Sequence, residues 1–365
     1  MDILTVANMY PSDADPVYGT FVRSFVEQLE ARNPGGRCDR VVIAGRRRGK
    51  WAKLRAYASF YPRAFMRMLF GRYDLIYIHT ITFPMIVVRA ALLLRPRLPL
   101  VFNVHGGDVL PRNRFIRRLR SLAPPALRRA LMVVSPSEYF RKVLLREFPD
   151  LSPDKIFVSP SGGIDAAFYN AGVHRPALDG RPLVLGYVSR IDSGKGWEVF
   201  VEAVYLLRRS GLDVRGVMAG RGEEGDALAR AIAGRGLTDV IDVLGAVPRE
   251  ELPRIYGSLD IMAFPTLCDE SLGLVGIEAM AAGVPVVASA IGGPTGYVRD
   301  GVNGYLFPPG DAVALAACVD RFVRLHETDR RKMARAALET ARPFEATRVA
   351  DDMYARLCAL VNTHC

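Results

Sequence analysis

Apolar residues fall in short continuous runs along the whole chain, and a segment of helical periodicity follows almost every run. Strands that are buried on both faces show such runs, and regular alternation of strand and helix is typical of parallel sheets. In the first half the runs predict strands at 3–7, 41–44, 75–78, 100–104, 131–134 and 156–159. In the second half they predict strands at 183–188, 214–219, 240–243, 261–263, 286–288 and 305–307. The pattern predicts an α/β fold of two Rossmann-like, doubly wound domains that face a central cleft.

Helical periodicity separates these strands, and one more helical segment follows the last of them. In the first half, helices are predicted near 20–32, 52–70, 83–95, 114–129 and 137–148. Glycine and proline cluster between Asn170 and Pro182 without apolar periodicity, which indicates a linker. We therefore expect a first domain over 1–172 and a second over 173–344. We expect the closing helix, within 345–365, to pack back on the first domain.

Length and composition agree with two domains that each bury a core. The 365 residues are half apolar, which disfavours disorder. The longest apolar stretch, Phe83 to Leu94, is interrupted by Arg89 and is too short to span a bilayer. Because the chain starts directly with a strand pattern and not with a signal peptide, we expect a cytoplasmic protein.

The five cysteines are scattered and lack any C-x-x-C spacing. They are Cys38, Cys268, Cys318, Cys358 and Cys365. Their odd number and their spacing disfavour a disulfide framework or a zinc site. We expect reduced thiols, most of them buried as small hydrophobic residues, and no metal site.

One candidate for chemistry follows the predicted strand 100–104, which runs into His105-Gly106-Gly107-Asp108. Ligands in open α/β sheets lie beyond the carboxyl ends of the strands, and glycines let the backbone approach them closely. We interpret His105 as a ligand-facing side chain; the alternative is a loop histidine that neighbours satisfy. We interpret His79, which also follows a strand, as structural.

Two cations flank a glycine-rich turn after the first strand of the second half. The turn is Ser189-Arg190-Ile191-Asp192-Ser193-Gly194-Lys195-Gly196, and a helix follows it. Fixed positive charge beside a helix N-terminus suits a pyrophosphate, although a solvated surface pair is the alternative. After the next strand, Gly220 and Gly222 allow close approach to a nucleobase or ribose, although a simple turn explains them nearly as well.

The most specific stretch is residues 265–280, where a strand ends, a loop carries Glu270, and a helix opens near Gly273. The free amides of Gly273, Leu274 and Val275 suit phosphate oxygens. Glu278 lies two turns beyond Glu270, so we expect both to face one ligand. Paired carboxylates suit a polyol, because each accepts two hydroxyls. The apolar neighbours of Glu278 also imply that this acid has a partner.

At these residues the chain resembles the retaining GT-B glycosyltransferases of the family-four type, whose signature is a glutamate, seven residues and a second glutamate. The resemblance implies that Glu270 binds hydroxyls of the donor sugar and Glu278 those of the ribose. It also implies that Arg190 and Lys195 neutralise the diphosphate.

Further positions extend the resemblance into the first half. His105 would face the donor sugar near the reacting carbon, and Gly19 matches a glycine loop that closes over the donor. Residues 291–293 match a downstream turn. The resemblance implies retention of anomeric configuration without a divalent metal or cofactor, because Arg190, Lys195 and the helix N-terminus stabilise the leaving group.

Charge is divided unevenly between the two halves. Residues 1–170 carry 27 Lys/Arg against 13 Asp/Glu, whereas the remainder carries 22 against 25. Residues 46–72 hold nine Lys/Arg among aromatic residues, and 112–129 hold seven Arg; neither segment contains an acid. We favour an anionic membrane surface and a lipid-linked acceptor as partners, which implies a peripheral position on the inner face of the cell membrane. Solvated helix faces and, last, nucleic acid are the alternatives.

The sequence as a whole predicts transfer of a hexose from a UDP- or GDP-linked donor to a hydroxyl of a glycan or lipid-linked acceptor, in polysaccharide or glycoconjugate synthesis. A nucleotide-sugar epimerase of the same fold and a basic nucleic-acid-binding protein are the alternatives. A Rossmann dehydrogenase is disfavoured, because Asn8-Met9-Tyr10-Pro11-Ser12 stands where G-x-G-x-x-G would follow the first strand.

Overall fold

The computed structural model of the chain describes residues 1–15, 18–47, 49–111, 113–160, 162–169, 171–172, 177–178 and 180–364. Some residues used above lie outside this set: Arg48 and Arg112 of the basic segments, Cys365, and much of the expected linker. Within it the chain forms two compact units, one of residues 1–163 with 347–365 and the other of residues 164–346.

The first unit is a parallel sheet of six strands in the order β2-β1-β3-β4-β5-β6. The strands are β1 (Ile3–Tyr10), β2 (Cys38–Ala44), β3 (Leu75–His79), β4 (Leu100–Asn103), β5 (Met132–Ser135) and β6 (Ile156–Val158). The helices are α1 (Thr20–Arg32), α2 (Lys50–Phe70), α3 (Met85–Leu94), α4 (Arg114–Arg120), α5 (Pro124–Arg129) and α6 (Glu138–Glu147). In the register of β3 and β4, His79 lies opposite Asn103, so their carboxyl ends are level.

The helix expected over 114–129 is two helices, and this prediction was wrong. The helix α4 ends at Arg120, and α5 begins at Pro124. Proline lacks an N–H and fits best in the first turn of a helix, where that group has no helical partner, and Pro124 and Pro125 occupy the first turn of α5.

The second unit repeats the architecture with strand order β12-β11-β10-β7-β8-β9, again parallel. The strands are β7 (Leu183–Val188), β8 (Val214–Ala219), β9 (Ile241–Gly245), β10 (Ile261–Phe264), β11 (Val286–Ser289) and β12 (Gly304–Phe307). The helices are α7 (Trp197–Arg209), α8 (Gly225–Gly234), α9 (Leu252–Ser258), α10 (Leu274–Ala281), α11 (Ala312–Arg324) and α12 (Glu327–Ala341). The predicted α/β fold of two doubly wound domains is confirmed.

The unit boundary falls at residue 163, earlier than the glycine- and proline-rich stretch suggested. Ile164 and Phe168 are buried in the core of the second unit, so the segment before the expected boundary belongs to that unit. The closing helix α13 (Ala346–His364) belongs to the first unit, where Met353 and Leu357 pack with Ile3 and other core residues.

The cysteines differ from the expectation in burial. The four that the structure describes form no disulfide with one another. Only Cys318 among them is buried, and Cys38, Cys268 and Cys358 are half-buried. These three therefore keep contact with solvent.

Candidate functional site

One ion pair at the carboxyl edge of the second sheet joins two of the expected residues. The Nζ of Lys195 donates a hydrogen bond of 2.6 Å to Oε1 of Glu270. Their strands β7 and β10 are neighbours, so parallel pairing brings the two following loops together. Only 18% of the Lys195 side chain and 22% of the Glu270 side chain are exposed. A shielded ion pair therefore stands where a ligand with both anionic and hydroxyl groups would bind.

The loop that carries Glu270 is held by hydrogen bonds on both sides. Thr266 donates from Oγ1 to Oε1 of Glu270 at 3.4 Å, and its Oγ1 accepts from the Cys268 amide. The carbonyl of Glu270 accepts from the Gly293 amide at 2.7 Å. A side chain at Gly292 would collide with the backbone of Glu270. The turn at 291–293 therefore fixes the Glu270 loop.

Arg190 differs from Lys195 in its surroundings. Its side chain is 71% exposed and pairs with Asp192 at 2.5 Å, within the same turn. The two cations that the sequence grouped together thus have separate acidic partners. Arg190 is the more accessible and Lys195 the more shielded of the two.

The fold itself requires glycine at positions 220 and 222, without reference to a ligand. A Cβ at Gly220 would collide with the carbonyl oxygen of Ser189, and one at Gly222 with that of Ile191. Gly220 also has a φ of 144°, which residues with side chains rarely adopt. Both glycines let the loop after β8 pack against the loop after β7.

The N-terminus of α10 lies directly after the Glu270 loop. Gly273 precedes the helix with a φ of 81°, and its carbonyl accepts from the hydroxyl of Tyr297 at 2.9 Å. The amides of Leu274 and Val275 belong to the first turn and have no partner within the helix. The structure thus places the amides expected for phosphate binding next to Glu270.

Glu278 is the most buried charged residue of the expected site. Its side chain is 5% exposed, and its Oε2 accepts from the hydroxyl of Tyr256 at 3.0 Å. Nη1 of Arg249 lies 3.5 Å from its Oε1. Burial raises the pKa of Glu278, whereas Arg249 and the Tyr256 hydrogen bond oppose that rise.

The two glutamates therefore contact different partners: Glu270 pairs with Lys195, and Glu278 with Tyr256 and Arg249. Sequence analysis missed Tyr256 and Arg249. Tyr256 looks like one more apolar position before β10, and Arg249 is one of many exposed cations. The one available signal was the apolar setting of Glu278, which implied a partner without naming it.

In the first unit, the expected residue His105 lies against His79. The Nδ1 of His79 is 3.2 Å from Nε2 of His105, and the two rings stack with an interplanar angle of 9°. Burial lowers the pKa of both imidazoles, which keeps them neutral at neutral pH. Asp108 accepts from the amides of His105 and Gly106, which holds the loop after β4 in place.

The Gly19 segment reaches the same place through its neighbour Phe21. The ring of Phe21 lies 4.5 Å from that of His105, centroid to centroid. Gly19 has a φ of 73° and stands immediately before α1, where a Cβ would collide with the backbone of Met9 and Tyr10. Glycine is therefore required here by the backbone, and the turn brings the start of α1 to the histidine pair.

A cavity lies beside the histidine pair within the first unit. Phe21, Phe25, His79 and Met353 are among the residues that line it. The Nε2 of His79 has no hydrogen-bond partner in the part of the chain that the structure describes. Such a buried polar atom beside a cavity is a typical site for an ordered water molecule.

The loop after β1 contains an Asp-x-Asp sequence, Asp13-Ala14-Asp15. The Asp15 carboxylate accepts from the Arg46 amide at 3.1 Å and lies 3.9 Å from the Arg46 side chain. Among the described residues, no group of three or more His, Cys, Asp or Glu side chains is arranged to hold a metal ion. In this structure Asp15 serves as a loop anchor.

Helix α2 has a buried apolar face and, on its outward side, exposed apolar residues near each end. Phe60, Ala64 and Met68 face the core. Trp51 and Phe70 lie on the outward face with exposures of 79% and 69%, and Leu54 and Met66 accompany them. Large exposed apolar side chains grouped on one side of a helix often mark a contact surface.

The surface around α2 continues this composition over α3, α4 and α5. The exposed large hydrophobic residues of the first unit all lie on these four helices or the turn at Leu122, within the described residues: Trp51, Leu54, Met66, Phe70, Ile86, Leu93, Leu94, Phe115 and Leu122. Residues 46–129 hold 19 Lys/Arg and two acids, Asp74 and Asp108. We call the outward faces of α2–α5 the basic apolar surface.

Two family models match the chain. The model described as Glycosyltransferase Family 4 matches residues 20–167, and the model described as Glycosyl transferases group 1 matches residues 174–340. Together they cover most of both units.

Curated relatives match about half of the chain. The D-inositol 3-phosphate glycosyltransferase of Stackebrandtia nassauensis is 34% identical over 218 residues, which are 55% of this chain and 48% of that protein. The alpha-D-kanosaminyltransferase of Streptomyces kanamyceticus is 32% identical over 49% of this chain and 46% of its own length. The chain thus spans about half the length of the curated relatives it matches.

Solved structures match nearly the whole chain in fold. The Anabaena protein HepE in complex with UDP has a TM-score of 0.76 at 22% identity and covers 98% of this chain and 100% of its own. The sucrose-phosphate synthase of Thermosynechococcus elongatus has a TM-score of 0.75 at 19% identity, with full coverage of both chains. Across the described residues, no helix has both the length and the apolar character needed to cross a bilayer.

Proposed function

Because the chain belongs to the GT-B glycosyltransferases of the family-four type, we propose that it transfers a sugar from a nucleotide-sugar donor to a hydroxyl acceptor. The observation that carries the proposal is the shielded ion pair of Lys195 and Glu270 beside the N-terminus of α10. A donor offers a diphosphate to the cation and the helix amides, and sugar hydroxyls to the carboxylate.

The leaving group is stabilised by the protein itself in this proposal. Lys195, Arg190 and the amides at 273–275 supply preorganised positive charge for the diphosphate that departs. Glu278 accepts the ribose hydroxyls, and His105 donates to the sugar from the first unit. Transfer then needs no divalent metal and no cofactor, and the acceptor hydroxyl attacks the face that the diphosphate leaves, with retention of configuration.

A UDP-linked hexose is the proposed donor, with its GDP counterpart as the alternative. The similarity in fold to HepE supports this choice, because that protein is solved with UDP, with UDP and glucose, and with UDP-glucose. A glycan or a lipid-linked molecule is the proposed acceptor, in the synthesis of a polysaccharide or glycoconjugate.

The test is a thermal-shift screen against UDP, GDP and their hexose conjugates, followed by turnover with the donor that binds. A ligand that binds only the native state at 100 times its Kd stabilises it by about 2.7 kcal/mol. We expect one nucleotide series to raise Tm, and NMR of the product to show the anomeric configuration of the donor. Absence of any nucleotide shift, or product formed from the donor without an acceptor as in an epimerase, would contradict the proposal.

Metal independence is tested in the same assay. We expect turnover in EDTA to equal turnover with Mg²⁺, and Asp13→Asn with Asp15→Asn to leave it unchanged. If EDTA abolished turnover and Mg²⁺ or Mn²⁺ restored it, a metal ion would stabilise the leaving group.

We further propose that the basic apolar surface binds an anionic membrane from the cytoplasmic side. Lys50 and Lys53 lie in the first turn of α2, where the helix dipole disfavours cations, so they do not serve helix stability. Trp51 and Phe70 are exposed between such cations, an arrangement typical of helices that lie in a membrane interface. A lipid-linked acceptor would meet the enzyme there.

Tryptophan fluorescence tests this proposal directly. The chain has two tryptophans, and Trp197 is buried while Trp51 is exposed. In a Trp197→Phe variant we expect the Trp51 emission to shift to the blue with anionic vesicles and to stay unchanged with neutral ones. An unchanged emission with both would leave the surface as solvated helices, and salt-sensitive binding to RNA or DNA instead would favour a nucleic-acid partner.

A further inference from the structure

The buried carboxylate of Glu278 receives both of its described polar contacts from one neighbouring segment. Tyr256 lies on α9, and Arg249 lies just before that helix in the turn Arg249–Glu251. Tyr256 is fully buried, and its hydroxyl donates to Oε2 at 3.0 Å. Arg249 approaches Oε1 to 3.5 Å from the solvent side, with 61% of its side chain exposed. The buried Tyr256 thus contacts one carboxylate oxygen, and the exposed Arg249 contacts the other.

We propose that Arg249 and Tyr256 are positioning residues that keep Glu278 ionised and orient it to accept the two hydroxyls of a ribose. The inference rests on the proposed function, in which Glu278 contacts the nucleotide. A carboxylate offers about four acceptor positions, so one hydrogen bond from Tyr256 and one contact from Arg249 leave two positions open. A vicinal diol occupies two such positions at once.

The ionisation of Glu278 depends on these two neighbours because burial works against it. Burial raises the pKa of Glu278, whereas the charge of Arg249 and the hydrogen bond from Tyr256 both lower it. Burial also raises the pKa of Tyr256, which therefore stays protonated and donates. Tyr297 also raises the pKa of Tyr256 slightly, and burial raises the pKa of Tyr297 itself, so both phenols stay neutral.

Arg249 is held in this position by a second contact. Its guanidinium lies 5.6 Å from the ring centroid of Phe168, which is 1% exposed and packed in the core. A cation over an aromatic face is weakly attracted there, which reduces the conformational freedom of a long, exposed side chain. Met at this position would keep the apolar stem and its packing while removing the charge.

The experiment measures UDP binding, or GDP binding if the screen selects it, across about pH 5 to 9 by calorimetry. Glu278 must be ionised to accept two hydroxyls, so affinity falls as pH falls through its pKa. Removing Arg249 raises that pKa further, so the loss begins at a higher pH. We expect Arg249→Met to bind about tenfold more weakly than wild type on the acid side and to approach wild type on the alkaline side, where Glu278 is ionised with or without Arg249.

Four controls separate positioning from direct contact. Arg254→Met removes another exposed arginine of α9 and should change nothing. Arg249→Lys should restore most of the wild-type pH profile, and Tyr256→Phe should resemble Arg249→Met. The 2′-deoxynucleotide diphosphate, which lacks one hydroxyl, should show a smaller Arg249→Met effect.

A double-mutant cycle decides the matter. In a Glu278→Gln background, which binds UDP weakly at every pH, Arg249→Met should have no further effect. An additive loss, or a loss equal at all pH values, would overturn the inference and make Arg249 a direct ligand contact. If wild type binds no nucleotide at all, the proposed function fails as well. If Glu278→Gln weakens binding and Arg249→Met does not, only the inference fails.

Discussion

Cations are abundant in both units, but their surroundings differ. In the second unit, Lys195 is shielded from solvent and paired with Glu270 across two loops. On α2 in the first unit, Lys50, Lys53, Arg55 and Arg63 are exposed, and none has an ion pair within the described ranges. A shielded pair exchanges its partner only for a ligand that satisfies both charges, whereas exposed cations attract any anionic surface. Cations therefore select a specific ligand in the second unit, whereas in the first unit they attract anionic surfaces in general.

The largest effect expected from this comparison concerns Lys195. Lys195→Met removes the charge at the diphosphate and leaves Glu270 without its cation, while the aliphatic stem remains. We expect turnover to fall by about 10²–10³, the range for loss of one preorganised group that stabilises developing charge. Steady-state kinetics with the donor found in the screen measures it. Turnover within a few-fold of wild type would show that the leaving group is stabilised elsewhere.

The next effect concerns the first unit. Replacing Arg47, Lys50 and Lys53 with Ser should weaken binding to anionic vesicles by about two orders of magnitude, since each basic residue near such a surface contributes about 1 kcal/mol. Vesicle sedimentation measures it. Replacing Arg209, Arg230 and Arg335 of the second unit with Ser is the matched control and should leave vesicle binding unchanged. If both triple variants lost vesicle binding equally, net charge alone would explain the effect.

A smaller effect separates the two cations of the second unit. Arg190 is 71% exposed, so solvent screens its charge, and an exposed pair contributes about 1 kcal/mol or less. We therefore expect Arg190→Ala to weaken donor binding by about fivefold, far less than Lys195→Met affects turnover. Calorimetric titration measures it. A loss as large as that of Lys195→Met would mean that Arg190 becomes buried when the donor binds.

The smallest effect is one of stability. Because burial raises the pKa of Glu278, folding favours its protonated form, and the resulting stability is lost as pH rises through that pKa. Glu278→Gln should therefore raise Tm at alkaline pH by about 2–4 °C, the shift expected for about 1 kcal/mol in a domain of this size. The difference should shrink in acid, as calorimetry at two pH values can show. If Glu278→Gln changed Tm equally at both pH values, the change would result from packing and not from ionisation of Glu278.

Periodicity alone predicted most of the fold. The runs of apolar residues located the twelve strands of the described residues. Most of these strands are buried on both faces and therefore apolar throughout, whereas the edge strands β2 and β9 are only partly buried. The helix predicted over 114–129 was wrong, because Pro124 and Pro125 begin a second helix although the helical periodicity continues. The predicted unit boundary lay too late, because Ile164 and Phe168 are buried in the second unit although they precede the glycine- and proline-rich segment.

The candidate site divides in the same way. Residue type and spacing identified Lys195, Glu270 and Glu278, because a charged residue directly after a buried strand or inside an apolar helix requires a polar partner or a ligand. Their partners were decided by tertiary structure alone. Lys195 pairs with Glu270 because β7 and β10 are neighbours although they are far apart in sequence. Arg249 and Tyr256 meet Glu278 because the segment before β10 packs on α10, a contact for which no local pattern exists.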